Sequence, residues 1–255
     1  MDSSDIAWAL AALGHPAASG VALDGSRSGS GVFRVRLDGT DAVLKVTRGD
    51  PTRLVAARRE AAVYLGRGPT LPLRTPRLID HRDTEDAVIL LLAAHQAAVP
   101  STDWTHDDWL RVARELAALH SMSPPDGPLW AHGSPLLDDL AHPHLDVVSD
   151  FWAGDLPVLG PLLGDLPSLA AVIAALEPTF VHGDCHTANL LPADDGFVWI
   201  DWQAAGIGNP AEDLAFPSVR SVPDGADVPW EAMLTVYAEC RGLDIEPLRT
   251  AVRAA

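Results

Sequence analysis

Residues Val181 to Asp201 read V-H-G-D-C-H-T-A-N-L-L-P-A-D-D-G-F-V-W-I-D, a polar loop followed by an apolar run that ends in a carboxylate. His182, Asp184 and Asn189 stand in the spacing His-x-Asp-x-x-x-x-Asn, and Asp201 closes the run Phe197-Val198-Trp199-Ile200. This is a phosphoryl-transfer pattern. Such a reaction needs a hydroxyl aligned with a phosphate and the charge on the phosphate oxygens neutralised, and little covalent chemistry from the protein. Asp184 can accept the hydrogen bond and then the proton of an attacking hydroxyl, while Asn189 and Asp201 offer the hard oxygens that magnesium prefers. His182 is read as orienting the loop. His182, Cys185 and His186 could also suggest a zinc cluster, but structural zinc takes four ligands in recognisable pairs, and no second Cys or His pair follows.

Further up the chain stands its one lysine, Lys45, against seventeen arginines. It lies in the strand-like run Ala42-Val43-Leu44-Lys45-Val46. A compact ammonium can sit between two phosphate groups and an acidic partner, which the broad guanidinium fork cannot do as well. Fifteen residues on, Glu60 falls in an expected helix over Thr52 to Leu65, where it can pair with Lys45. Before the lysine strand, Ser26-Arg27-Ser28-Gly29-Ser30-Gly31 leads into Val32-Phe33-Arg34-Val35-Arg36-Leu37, and Asp38-Gly39 marks a turn. Backbone N–H groups of Ser28, Gly29, Ser30 and Gly31 could approach phosphates closely, although the full G-x-G-x-x-G pattern is missing and an ordinary hairpin connection reads the same way.

Taken together, the H-G-D-C-H-T-A-N-L-L loop, the I-D-W at Ile200 to Trp202, the G-I-G-N-P-A-E-D-L-A stretch at Gly206 to Ala215 and the L-A-A-L-H helix end at Leu116 to His120 resemble the aminoglycoside phosphotransferase family, within the protein-kinase-like superfamily. The resemblance spans most of the chain. It implies an α+β, bilobal, protein-kinase-like fold. A small lobe of antiparallel sheet plus helix would occupy residues 1–93, a hinge 94–100, and a larger, mostly helical lobe 101–255. It also implies ATP or GTP as donor with Mg2+, Asp184 as base, Asn189 and Asp201 as metal ligands, and Asp213 as a structural aspartate bracing the catalytic loop. Cys185 departs from the family pattern, standing where an aliphatic residue is usual.

A coarse reading places helices at Asp5 to Leu13, Thr105 to Leu119, Leu136 to Leu140, Leu145 to Trp152 and Leu166 to Leu176. Strands are expected at Gly31 to Leu37, Asp41 to Thr47, Arg77 to His81 and Ala87 to Leu92. The best helix is Thr105 to Leu119, where Thr105 can cap and Trp109, Val112, Ala113, Leu116 and Leu119 recur at helical spacing. Ala93 to Pro100 reads as the hinge, where backbone groups could bond a purine.

Met1 to Asp5 lacks the positive start of a secretory signal, and no run reaches transmembrane length. Two cysteines form no disulfide framework and suit a reducing compartment, so a soluble, cytoplasmic protein is expected. Formal net charge is −17, and between Arg114 and Arg220 there are fifteen acidic residues and no lysine or arginine. Such a surface should repel nucleic acid and acidic metabolites and concentrate cations. The expected partner is a small, cationic hydroxyl acceptor of the aminoglycoside, basic peptide or nucleoside antibiotic type, held near Asp150, Trp152 and Asp155. The same catalytic residues would serve a metabolic kinase of choline, a glycated amine, a sugar or a homoserine-like alcohol. A nucleotide-binding pseudokinase would not need Asp184.

Overall fold

In the computed structural model, the described residues are 3–16, 18–23, 30–66, 70–131, 133–144, 146–147 and 164–255. Among them no helix is long and apolar enough to cross a membrane. The chain divides into two compact units, residues 1–99 with 188–205, and residues 100–187 with 206–255.

The first unit is built on a five-stranded antiparallel sheet of β1 (Ser19–Ala22), β2 (Gly31–Leu37), β3 (Thr40–Arg48), β4 (Leu78–Asp83) and β5 (Ala87–Ala93), in the order β1-β2-β3-β5-β4. Helix α1 (Ser3–Ala12) and helix α2 (Pro51–Tyr64) complete its cores. Strand β5 is buried along nearly its whole length because alternate side chains serve opposite faces. Ile89 and Leu91 pack with Phe33, Leu44, Val46 and the α1 residues Ile6 and Leu10. Val88, Leu90 and Leu92 pack with Leu54, Ala57 and Ala61 of α2.

That alternation decides where Lys45 goes. Its neighbours Leu44 and Val46 belong to the α1 core, so the period of two turns Lys45 to the α2 side, opposite Leu90 on β5. The turn that sets the β2–β3 register uses Asp38 (φ 47°) and Gly39 (φ 85°), consecutive positive-φ residues of the kind a two-residue hairpin loop requires, between the partners Leu37 and Thr40. Helix α2 starts where Asp50 caps it, accepting from Thr52 N at 2.8 Å and Arg53 N at 3.2 Å, with Pro51 in the first turn.

Residues 188–205 cluster with this unit. They form a hairpin of β7 (Leu190–Ala193) and β8 (Gly196–Trp199), followed by a 3-10 turn at Trp202–Ala204. Arg74 tethers the hairpin: its carbonyl accepts from Trp199 N at 2.8 Å, and its guanidinium pairs with Asp195.

The second unit is mostly helical, with α3 (His106–His120), α4 (Pro135–Ala141), α5 (Leu166–Ala174), α6 (Pro210–Ser221), α7 (Trp230–Arg241) and α8 (Ile245–Ala254). Two short strands, β6 (Thr179–Val181) and β9 (Gly206–Gly208), pair antiparallel. Thr105 and Asp108 form a reciprocal capping box at the start of α3, and Trp109, Val112, Ala113, Leu116 and Leu119 are all buried, as the helical stripe requires. The mixed α+β class therefore agrees with the sequence reading. Residues 94–100 carry no regular secondary structure, and most of the helix expected at Leu145 to Trp152 lies outside the described residues.

Candidate active site

Lys45 Nζ lies 2.8 Å from Glu60 Oε1 and 2.7 Å from Oε2, and 2.9 Å from Asp201 Oδ1. Strand β3 supplies the lysine, α2 the glutamate, and the segment after β8 the aspartate. Burial alone would pull the Lys45 ammonium down, but the two carboxylates outweigh it and its pKa rises above the ordinary value, so the side chain stays charged. Burial pushes the Glu60 carboxyl up, with Lys45 pulling it back. Glu60 is 1% exposed, so its oxygens need partners. Besides Lys45 they accept from Tyr64 Oη at 3.1 Å and Gln203 Nε2 at 3.2 Å.

Asp201 adopts a left-handed backbone conformation (φ 64°, ψ 58°), an uncommon state for an aspartate and one that surrounding contacts must hold. Those contacts are visible on both sides. Ile200 N donates to Asn189 O at 3.0 Å, Trp202 Nε1 to Trp199 O at 3.0 Å, and the Arg59 guanidinium to Gln203 O at 2.7 Å. The backbone tie between Asn189 and Ile200 keeps the side-chain carbonyl of Asn189 and the carboxylate of Asp201 on neighbouring segments, two hard oxygen donors of the type magnesium takes. Among the described residues no group of three or more His, Cys, Asp or Glu could hold a metal ion by itself. A magnesium held by one carboxylate, one amide and phosphate oxygens fits this donor set.

In the second unit, β6 delivers His182, Gly183 and Asp184 to the start of the loop, and the chain passes from this unit to the other between Thr187 and Ala188. Asp213, on the first turn of α6, is 1% exposed and accepts from His182 N at 2.7 Å and Gly183 N at 2.8 Å. His120 Nε2 reaches the same carboxylate at 3.2 Å. Burial would raise the Asp213 pKa, yet these donors hold it below its usual value. The thiol of Cys185 donates to the Asp213 carbonyl at 2.9 Å. His182 is fully buried, and its Nδ1 accepts from Asp184 N at 3.2 Å. The side chain of Asp184 is 37% exposed, with His186 Nε2 3.7 Å away.

Of the residues singled out in the sequence, the structure gathers Lys45, Glu60 and Asp201 in one cluster of the first unit, with Asn189 tied to the Asp201 segment. In the second unit it gathers His182, Asp184 and Asp213. Ser30 Oγ bonds Thr47 Oγ1 at 2.7 Å, and Gly31 opens β2, so these two anchor the end of the loop to the sheet. Ser28, Gly29, Asp150, Trp152 and Asp155 lie outside the described residues. Arg59, Tyr64 and Gln203 were not singled out. The i,i+4 spacing of Glu60 and Tyr64 was the available signal for one of them.

The profile of a phosphotransferase enzyme family (APH) matches residues 20–248. No curated protein matches the chain in sequence. Among solved structures, an aminoglycoside-3'-phosphotransferase of type VIII aligns at 20% identity with a TM-score of 0.63, over 100% of this chain and 98% of that one. An aminoglycoside phosphotransferase from Streptomyces rimosus, in complex with ADP and streptomycin, aligns at 21% identity and a TM-score of 0.57, over 91% and 93%. A microcompartment-associated aminopropanol kinase aligns at 18% identity and a TM-score of 0.61, over 99% and 85%. At these identities the likeness speaks for the kinase-like fold.

Proposed function

The chain belongs to the phosphotransferase enzyme family, and from that premise we propose that it transfers the γ-phosphoryl group of ATP or GTP to a hydroxyl of a small cationic molecule, an antibiotic of the aminoglycoside, basic peptide or nucleoside type. The observation that carries the reading is the Lys45 cluster: a buried ammonium between two carboxylates, one of them on a strained backbone.

In this reading Asp184 accepts the proton of the acceptor hydroxyl as the new oxygen–phosphorus bond forms and the bond from the γ-phosphorus to the β,γ-bridging oxygen breaks, leaving the nucleoside diphosphate. Lys45, aimed by Glu60, binds the α- and β-phosphates. Asn189 and Asp201 would hold magnesium, which when bound neutralises charge on the phosphate oxygens. Ser30 and Gly31, with Ser28 and Gly29 before them in sequence, are assigned to the phosphates through their backbone N–H groups. His182 and Asp213 hold the loop in shape. Residues 1–93, 94–100 and 101–255 serve as nucleotide-binding lobe, hinge, and catalytic and acceptor-binding lobe.

The acceptor is assigned a positive charge because fifteen acidic residues and no lysine or arginine lie between Arg114 and Arg220. Asp150, Trp152 and Asp155 are proposed to meet its ammonium groups. A metabolic role on a small amino alcohol is the second reading, favoured by the likeness to the aminopropanol kinase.

Mass spectrometry of the purified chain with Mg2+ and ATP or GTP, against aminoglycosides, basic peptide and nucleoside antibiotics and small amino alcohols, tests this. One antibiotic should gain a phosphoryl group, and Asp184→Asn should lower turnover by roughly 10²–10⁴-fold while nucleotide still binds. Phosphorylation of an amino alcohol alone would favour the metabolic role, and preserved turnover in Asp184→Asn would remove Asp184 as the base.

A further inference from the structure

The donors that hold Asp213 do not end at His120. His120 Nδ1 lies 2.9 Å from Tyr237 Oη on α7, and Arg241 Nη1, one turn further along α7, reaches the same hydroxyl at 3.3 Å. His120 and Tyr237 are 1% and 0% exposed, so every proton in this row has to find a partner inside the protein.

The chemistry of the two ends fixes the direction of the row. Arg241 can only donate, and the Asp213 carboxylate can only accept. With Arg241 occupying a lone pair of the Tyr237 oxygen, the hydroxyl proton must go to His120 Nδ1, which leaves Nε2 to carry the imidazole proton and donate to Asp213. A doubly protonated His120 would donate from both nitrogens, and the buried Tyr237 hydroxyl would then have no acceptor among the described residues.

We propose that Tyr237 and Arg241 are positioning residues for the base loop: they fix His120 as the neutral, Nε2-protonated tautomer, and so set the angle at which Asp213 grips the amides of His182 and Gly183. The effect reaches Asp184 because its own N–H is bonded to His182 Nδ1. The row therefore runs from α7 through α3 and α6 to the loop without a break, through hydrogen-bonded partners separated by up to 117 positions in sequence. The proposal rests on the phosphotransferase reading for its catalytic consequence, though not for its tautomer.

The test uses the full chain in three variants. Tyr237→Phe is isosteric but lacks the hydroxyl, Arg241→Lys keeps a donor, and Arg241→Met keeps the packing alone. The first readout is 15N NMR of the His120 imidazole, assigned by comparison with His120→Gln, together with the amide signals of His182 and Gly183. The expected result is an Nε2-protonated ring in the native chain and in Arg241→Lys. In Tyr237→Phe, and to a smaller extent in Arg241→Met, the ring signals and the Gly183 amide should shift. The second readout is ADP release from magnesium ATP in the presence of each hydroxyl acceptor of the mass-spectrometric screen. Tyr237→Phe should lower kcat roughly tenfold with KM for ATP unchanged, and Arg241→Lys should restore what Arg241→Met loses.

A doubly protonated or Nδ1-protonated His120 in the native chain would overturn the proposal. So would ring and amide signals indifferent to Tyr237→Phe, or an Arg241→Lys variant no better than Arg241→Met. Shifts in the NMR signals from a chain that releases no ADP would leave the tautomer assignment standing and place the failure in the phosphotransferase reading.

Discussion

Lys45 donates to Asp201 across 2.9 Å while both oxygens of Glu60 close on the same ammonium from α2. The residue proposed to bind phosphates and the residue proposed to bind magnesium are thus coupled through one proton-rich centre. Glu60 fixes that centre to the helix. Because the same glutamate also accepts from Gln203, two positions after Asp201, α2 orients both partners at once.

Removing the Glu60 charge should therefore cost more than a surface pair would. Glu60→Gln leaves a buried ammonium short of a carboxylate, a loss of about 3–5 kcal/mol by comparison with other broken buried pairs. The melting temperature should fall by roughly 6–20 °C in a chain of this size. Replacing both members, Lys45→Met with Glu60→Gln, which keeps an acceptor for Tyr64 and Gln203, should recover much of that loss while nucleotide turnover is abolished. Calorimetry on the single and double variants decides the matter, and a Glu60→Gln chain that melts with the native one would show that the pair contributes nothing to stability.

The grip on the base loop has a pH signature. Asp213 sits below its ordinary 3.8 because hydrogen-bonded His120 and the loop amides outweigh the effect of burial. A carboxyl with a lowered folded pKa stabilises the fold fully above its unfolded value, and that stability is lost as the pH falls through the lowered folded value. Urea unfolding of the native chain and of Asp213→Asn should differ at about pH 5, and the difference should shrink as the pH falls below about 4. A gap that does not shrink below about pH 4 would mean that the ionised form of Asp213 is not what stabilises the fold.

The elements that the sequence disclosed are those whose signal is local. Helix α3 carries its own cap and stripe, and β2, β3 and β5 carry alternation or length enough to be read. Strand β1 was missed because its four residues are mostly exposed and offer no period. The apolar run that ends before Asp201 was read without its partner strand, whereas the chain turns at Asp194-Asp195-Gly196 to form the β7–β8 hairpin, with Gly196 at a positive φ of 153°. For the candidate site, Lys45, Asp184, Asn189 and Asp201 were singled out in the sequence because the chemistry proposed for them is tied to short spacings. His120 was noticed only as a helix end, and Tyr237 and Arg241 not at all, since nothing in the spacing of α3 and α7 says which hydroxyl will meet which imidazole.

Cys185 and Cys240 should differ sharply toward thiol reagents. Burial and the nearby charge of Asp213 push the Cys185 thiol well above its usual pKa, and its hydrogen is engaged by the Asp213 carbonyl, whereas Cys240 is exposed. Since the thiolate is the reactive form, a native sample should titrate one thiol and a denatured sample two. Peptide mapping after a brief treatment with iodoacetamide should find the label on Cys240. Label on Cys185 in the folded chain would show that the loop opens on the timescale of the reagent.

Gly183 separates the stability of the loop from its function. Its φ of 79° sets the direction in which the chain leaves the His182 and Gly183 amides held by Asp213 and runs on to Asp184, a conformation that an L side chain adopts at a cost of about 1–2 kcal/mol. Gly39 provides the comparison, since it has a φ of 85° in the β2–β3 turn and a Cβ there would meet nothing within 4 Å. Gly183→Ala and Gly39→Ala should lose similar stability, a fall in melting temperature of roughly 2–8 °C. Only Gly183→Ala should lower kcat, because a backbone that relaxes away from φ 79° turns Asp184 relative to the two amides that Asp213 holds. Equal kcat in the two variants would show that the base tolerates movement of the chain beyond Gly183.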